Sequence, residues 1–113
     1  MTTVTLGLAS LDDVKRRLAA AFEGEAQGSF LSFESVELLW RVLSPKRLAI
    51  LRALAGSGPC SIRETARRVG RDVKAVHGDV TALLAAGVLD RDDGGRIVFP
   101  YDSVRVNFVL QAA

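Results

Sequence analysis

The fold is decided by residues 61–89, which read SIRETARRVGRDVKAVHGDVTALLAAGVL. Ser61, followed three residues later by Glu64, forms a capping box, which predicts that a helix begins here. Gly70 predicts the end of that helix, because glycine adopts the left-handed conformation that closes helices. Asp72 predicts the N-cap of a second, longer helix, whose apolar residues fall within an arc of about 80° on a helical projection. The residues of this predicted buried face are Val73, Val76, Val80, Leu83 and Leu84.

Three further helices are predicted upstream of this stretch. Ser10 predicts the N-cap of a helix over about 11–25, whose first turn is acidic. Ser32 predicts the N-cap of the next helix, which runs through Leu43. Ser44-Pro45 predicts the start of the third, because proline is tolerated at the first helical position.

The remaining segments have the patterns of extended chain. Residues 4–8 and 104–110 alternate apolar with small or polar side chains, which predicts two strands. The turn residues Asp-Asp-Gly-Gly at 92–95, between two short apolar runs, predict a hairpin. Residues 29–32 are ambiguous between a short strand and a connector. The terminal strands need partners, and they could pair within one chain or across two.

The chain of 113 residues fits one α+β domain over 1–113. Within it, 1–31 is predicted to be an N-terminal extension, 32–100 the core, and 101–113 a C-terminal strand. A hydrophobic fraction of 49% and a charged fraction of 25% exclude global disorder.

Composition also narrows the function classes. One cysteine, Cys60, excludes an intrachain disulfide and a cysteine-rich zinc site. No apolar run is long enough for a membrane span, and no basic segment precedes an apolar core at the N-terminus, so we expect a cytoplasmic protein without membrane contact. Helix capping and turn chemistry account for the adjacent aspartate pairs, and no glycine-rich phosphate loop follows a strand. We therefore expect no enzyme activity and no metal or cofactor.

Positive charge is concentrated in one block of the chain. Residues 45–81 carry eight lysines and arginines against three carboxylates, whereas residues 1–44 carry four against six. A basic block of this kind favours a polyanionic partner. A solvated surface is the alternative interpretation, although such surfaces usually mix charges of both signs.

The predicted order of helix, short helix, tight turn, longer helix and hairpin is that of a winged helix-turn-helix. In that arrangement the second helix of the pair enters the DNA major groove and the first braces it. The outward face of the second helix is small and mildly basic, and consists of Lys74, Ala75, Gly78, Thr81 and Ala82. The bracing helix presents arginines for phosphate contacts. The candidate DNA-binding residues are Ser61, Arg63, Arg67, Arg68, Arg71, Lys74, Ala75, His77, Gly78, Thr81, Arg91 and Arg96.

Several of these residues keep a second interpretation. His77 lies at the edge of the predicted buried arc, where it is either a packed histidine or a donor to phosphate. Arg91 and Arg96 on the hairpin lie beside aspartates that would repel phosphate. Cys60 is either a redox-sensitive thiol or, more simply, a small buried side chain.

Residues 61–70 and 73–89 resemble the corresponding parts of MarR-like and ArsR-like winged-helix transcriptional regulators, including the lead into the wing at 83–89. Residues 43–48 together with 71–80 more closely resemble a family of small prokaryotic DNA-binding proteins. Its members often lie beside small toxin genes, which implies a role as antitoxins. Gly78 departs from the resemblance, because a basic or polar side chain is expected at this position.

The sequence therefore predicts a winged helix-turn-helix regulator that binds double-stranded DNA as a homodimer and regulates its own operon. Dimerisation is expected through the layer formed by the terminal strands, since such regulators read two half-sites through two-fold symmetry. The alternative is a protein-interaction module, an antitoxin that neutralises a cognate toxin protein.

Overall fold

The computed structural model describes residues 2–8, 15, 18–19 and 29–108. Within them the chain forms a mixed α+β fold, which confirms the predicted class. In chain order the elements are β1 (Thr3–Leu8), β2 (Ser29–Phe33), α1 (Val36–Val42), α2 (Pro45–Leu54), α3 (Ile62–Val69), α4 (Val73–Ala85), β3 (Asp90–Arg91), β4 (Ile97–Val98) and β5 (Ser103–Asn107). The helix predicted over 11–25 falls mostly outside the described residues.

Three of the helix starts lie where the capping residues predict them. The Ser44 hydroxyl accepts a hydrogen bond from the Arg47 backbone N–H at 3.2 Å, and the Ser61 hydroxyl accepts one from the Glu64 N–H at 3.0 Å. The Asp72 carboxylate accepts bonds from the first turn of α4. Gly70 closes α3 with a φ of 67°, as predicted.

The predicted cap of α1 is wrong. Ser35 rather than Ser32 caps this helix, with its hydroxyl accepting from the Leu38 N–H at 3.1 Å. The reason is that Ser32 belongs to β2, so the ambiguous segment is a strand whose residues are held by pairing with β1. The chain leaves that strand only after Phe33, which places the helix start three residues later.

The two terminal strands pair within one chain. β1 lies in the middle of a parallel sheet of order β2-β1-β5, with Val4 beside Val104 and Leu6 beside Val106. The Thr2 backbone N–H donates to the Asp102 carboxylate at 2.9 Å, which secures the start of this pairing. Of the two alternatives left open by the sequence, pairing of β1 with β5 within one chain is therefore the one that the structure shows.

Glycine at position 7 permits the close approach of β1 and β5. A Cβ at Gly7 would lie 2.7 Å from the Asn107 carbonyl oxygen and 3.2 Å from the Phe30 ring. The first distance is shorter than any ordinary contact, and the atom is backbone, so a larger side chain here would push the strands apart.

The β3–β4 hairpin forms around the predicted turn and is tied to the helices by Cys60. Cys60 and Ile97 exchange both backbone hydrogen bonds at 2.8 Å, so an isolated bridge joins the hairpin to the chain just before the Ser61 cap of α3. Cys60 is 5% exposed, in agreement with a small buried side chain. In the turn, one Asp92 carboxylate oxygen accepts from the backbone N–H groups of Gly94 and Arg96.

The core joins α4 to the other helices through a face narrower than the one predicted. Val76, Val80 and Leu83 are fully buried, but Val73 is 43% exposed and Leu84 is only partly buried. The prediction that Val73 is buried is wrong, because it is the first residue of α4 and projects beyond the helices packed against it. No helix in the described part of the chain is long and apolar enough to span a membrane.

Candidate nucleic-acid interface

The outward face of α4 combines small side chains with a lysine. Lys74, Ala75, His77, Gly78 and Thr81 are all exposed, which removes the interpretation of His77 as a packed histidine. The Thr81 hydroxyl donates to the His77 carbonyl at 2.8 Å, which leaves the hydroxyl oxygen free to accept. Nothing lies within 4 Å of the position that a Cβ would take on Gly78. This face can therefore approach a flat or grooved polyanion closely.

Asp79, on the flank of α4, is held between two arginines from other parts of the chain. Its carboxylate accepts from Arg47 Nε at 3.0 Å and lies 2.8 Å from Arg71 Nη2. Arg47 also donates from Nη1 to the carbonyls of Arg41 and Val42, at the C-terminus of α1. The cluster thus joins α1, α2, the α3–α4 turn and α4.

The negative charge of Asp79 is compensated by the two arginines beside it. Partial burial raises the pKa of Asp79, but the hydrogen bonds and positive charges of Arg47 and Arg71 outweigh it, so the pKa lies below its ordinary value. The side chains of Arg71 and Asp79 are 21% and 18% exposed. Arg71 therefore lies among the predicted phosphate contacts by position but directs its guanidinium into the protein.

Sequence reasoning missed this role of Asp79. At about 100° per residue, Asp79 projects only about 40° from Leu83, beside the buried face of α4. A carboxylate at that edge needs a partner, because an unpaired charge there would be costly. That signal was present in the sequence, although the identity of its partners depends on tertiary contacts.

The arginines of α3 differ in their exposure and in the number of groups that they bind within the protein. Glu64 binds both Arg67 and Arg68, and the hydrogen bond from Arg67 is the main reason that the pKa of Glu64 falls to about 2. Arg68 also donates to the Ala53 carbonyl and the Ser57 hydroxyl, so it points towards the α2–α3 connection. Arg67 is 73% exposed despite its pairing. Arg63 is exposed and has no ion pair within the described residues.

The arginines of the hairpin are both bound within the turn. Arg91 donates to the Gly95 carbonyl at 3.1 Å, and Arg96 Nε donates to Asp92 at 3.1 Å. Both side chains remain exposed. The Ser61 hydroxyl is likewise exposed but serves as the cap of α3. Within the candidate set, Arg63 and the α4 face are therefore exposed and free of ion pairs in the described residues, and Arg67 is exposed but paired with Glu64.

An open groove lies beside the C-terminal half of α4, next to its exposed face. It has a volume of about 700 Å³ and is bounded by the end of β2, by α1 and by the C-terminal half of α4. Its apolar lining includes Leu38, Val42, Ala82 and Ala85, and Arg41 lies at its border. Leu38 is 36% exposed at this groove. Ala82, predicted to face outward, is half-buried in this wall.

Comparison with known proteins adds one match. No curated protein matches the chain. The family model HVO_A0114 matches residues 42–106, which include α2, α3, α4, the hairpin and nearly all of β5. This match spans more than half of the 113 residues and contains the whole candidate interface. The chain therefore belongs to the HVO_A0114 family.

Proposed function

We propose that this protein is a sequence-specific, double-stranded DNA-binding regulator of transcription that acts as a homodimer and controls its own operon. The proposal treats α3, α4 and the β3–β4 hairpin as a winged helix-turn-helix, with α4 as the recognition helix. The observation that carries it is the division of α4 into a fully buried apolar face and an exposed face of small and basic residues.

The arrangement of neighbouring elements supports this proposal. Gly70 turns the chain sharply between α3 and α4, and the Cys60–Ile97 pairing joins the hairpin to the chain just before α3. The hairpin, α3 and α4 are therefore linked by a tight turn and by backbone hydrogen bonds. Such links suit DNA binding, because groove contacts require side chains to be held in fixed register.

We assign different roles to the two helices. Arg63 and Arg67 on α3 contact phosphates, which positions the protein without reading sequence. Lys74 and Thr81 on α4 face base edges in the major groove. There lysine can donate to the O6 and N7 acceptors of guanine, and a threonine hydroxyl can hydrogen-bond to a donor or an acceptor. Gly78 lets the helix backbone approach the bases. The Arg47–Asp79–Arg71 cluster holds α4 at the angle that these contacts need.

The test compares single substitutions on selected and unrelated duplexes. The duplexes are selected from a random library by the protein itself, and binding is followed by fluorescence anisotropy. Lys74→Ala and Thr81→Ala should each weaken the selected site by about 1–3 kcal/mol and relax discrimination at one or two positions. Arg67→Ala should weaken all duplexes alike.

The matched control is Lys15→Ala, which removes one exposed positive charge from the acidic N-terminal part of the chain. This variant should bind like the wild type. If all three interface variants remain folded and bind both kinds of duplex unchanged, α4 is not a recognition helix.

A second candidate function is binding of a protein, such as a toxin that this chain would neutralise. The apolar groove beside α1 favours it, because Leu38 and Val42 present an apolar surface there. Leu38→Asp would weaken such a complex and leave DNA binding intact, whereas Lys74→Ala would do the opposite. Isothermal titration with the product of a neighbouring gene in the same operon distinguishes the two.

A further inference from the structure

The strand β5 has an outer edge that no other strand of the described chain pairs with. Its last three residues, Arg105, Val106 and Asn107, are all exposed. The opposite edge strand, β2, is better covered, since only Ser32 is exposed among residues 30–33. An open strand edge presents unpaired backbone N–H and C=O groups, which favour pairing with a further strand.

The residues near this edge form an apolar patch on one face of the sheet. Val106 is 38% exposed, and Phe108 follows it two residues later on the same side of the chain. Trp40 on α1 contacts Phe108 edge-to-face with ring centroids 5.5 Å apart, yet it remains 51% exposed. A tryptophan left half in solvent beside an open strand edge is typical of an interface.

The sequence of β5 is complementary to itself in one antiparallel register. Two copies of β5 can pair in antiparallel orientation about a two-fold axis perpendicular to the sheet. The same face of both copies then lies on one side of the joined sheet only when the axis passes beside a residue rather than between two residues. An axis at Arg105 would place this arginine opposite its own copy, which is unfavourable. An axis at Val104 would place Val106 opposite Asp102.

An axis at Val106 gives favourable side-chain pairs on both faces of the sheet. It places Val106 against its own copy and Val104 against Phe108 of the second chain, all on the apolar face. On the polar face it places Arg105 opposite Asn107 of the second chain, where the side-chain amide oxygen can accept from the guanidinium. This register matches apolar with apolar residues and separates the like charges.

We propose that two copies of this chain associate through β5 in this register and form a continuous six-stranded sheet, with Trp40 and Phe108 at its seam. This inference rests on the proposed function, which includes a homodimer, and it identifies the surface through which the two copies associate. It requires no exchange of strands, because β1 and β5 already pair within each chain.

The test uses the charge at position 107 in the full-length protein. Asn107→Asp places a carboxylate opposite Arg105 of the second chain at two symmetric positions, and we expect the dimer to tighten roughly tenfold. Asn107→Arg places two arginines opposite each other, and we expect dimerisation to weaken by a similar factor. Sedimentation velocity over a concentration series gives the dimer dissociation constant of each variant.

The control is the same pair of changes on the other edge of the sheet. Ser32 is exposed and lies on the same face as Asn107, since each is the partner of Gly7 in its strand pairing. Ser32→Asp and Ser32→Arg should leave the dissociation constant unchanged. Trp40 is the only tryptophan of the chain, so its fluorescence should shift to shorter wavelength as the wild type dimerises.

Two results would overturn the proposal. One is a species of 12.1 kDa, the monomer mass, at all micromolar concentrations. The other is a dimer whose stability does not respond in opposite directions to the two Asn107 variants, which would place the interface elsewhere. Both measurements are made without DNA, so they are independent of the Lys74 and Thr81 tests. Failure here with intact DNA binding would leave the regulator role standing.

Discussion

At the scale of single residues, Asp79 has the largest structural role in the candidate interface. It is the common partner of Arg47 and Arg71, and through Arg47 it reaches the C-terminal carbonyls of α1. Its carboxylate therefore fixes α4 without itself facing the exposed side of that helix. Removing the charge should therefore shift the position of α4 while the helix itself stays formed.

We predict that Asp79→Asn lowers the free energy of unfolding by about 1–3 kcal/mol at neutral pH, because two half-buried guanidinium groups lose a charged partner. The folded-state pKa of Asp79 lies below 3.8, its value when unperturbed. The stabilisation is therefore complete above that pH and is lost as the pH falls through the lowered folded-state pKa. Urea denaturation of both proteins from neutral to acidic pH measures this.

The control for this substitution is Asp93→Asn, at an exposed position in the hairpin turn. It should change stability by no more than about 0.5 kcal/mol. An Asp79→Asn variant as stable as the wild type at neutral pH would mean that the cluster contributes no net free energy.

At the scale of elements, the sequence predicted helix starts better than it predicted partners. Ser44, Ser61 and Asp72 act within their own first turns, so the local sequence is sufficient to identify them. Ser32 failed because pairing with β1 extends the chain at that point, and strand pairing is decided by residues far away in sequence.

In the candidate site too, features set by the local sequence could be predicted, whereas features set by tertiary contacts could not. Helical periodicity identified most of the exposed face of α4, but it misplaced Val73 and Ala82, whose exposure depends on the neighbouring elements. The fate of Arg68 and Arg71 was not predictable, because their partners lie on other elements. Both were predicted as phosphate contacts, and both bind groups within the protein.

The cap of α3 allows its structural and binding roles to be separated. Ser61→Ala should lower the free energy of unfolding by about 1 kcal/mol, because the Glu64 N–H loses its acceptor. Ser61→Asp should keep the cap and the stability, but its negative charge should weaken binding to DNA phosphates. Thermal unfolding and anisotropy titration measure the two effects.

The equivalent change on α1, Ser35→Asp, is the control for the added charge, since Ser35 also caps a helix but lies outside the candidate interface. It should leave DNA affinity unchanged. If Ser61→Asp binds DNA as tightly as the wild type, no phosphate lies near the start of α3.

At the scale of the whole molecule, the salt dependence of DNA binding is set by the few basic residues of the candidate interface that are free to neutralise phosphates. Arg68 and Arg71 bind within the protein, which leaves Arg63, Lys74 and the exposed but paired Arg67. We predict a slope of log affinity against log salt of about −2 to −3 per protomer, at about −0.9 for each phosphate neutralised.

Anisotropy titrations between about 50 and 200 mM salt measure this slope. Lys74→Ala should reduce its magnitude by about one, and Lys15→Ala should leave it unchanged. Affinity that does not depend on salt would exclude DNA phosphates as the main contact.

The parallel pairing of β1 with β5 also governs how the chain folds. Thr3 pairs with Ser103, so the central strand of the sheet pairs with a strand one hundred positions later in the chain. Contacts at such separation are slow to form, because the entropy of closing the intervening loop is lost before any contact compensates for it. The helices and the hairpin have nearer partners and can assemble first. During synthesis, β1 therefore stays without its second neighbour until the ribosome has added residue 107, and its unpaired backbone edge stays open to aggregation for that interval.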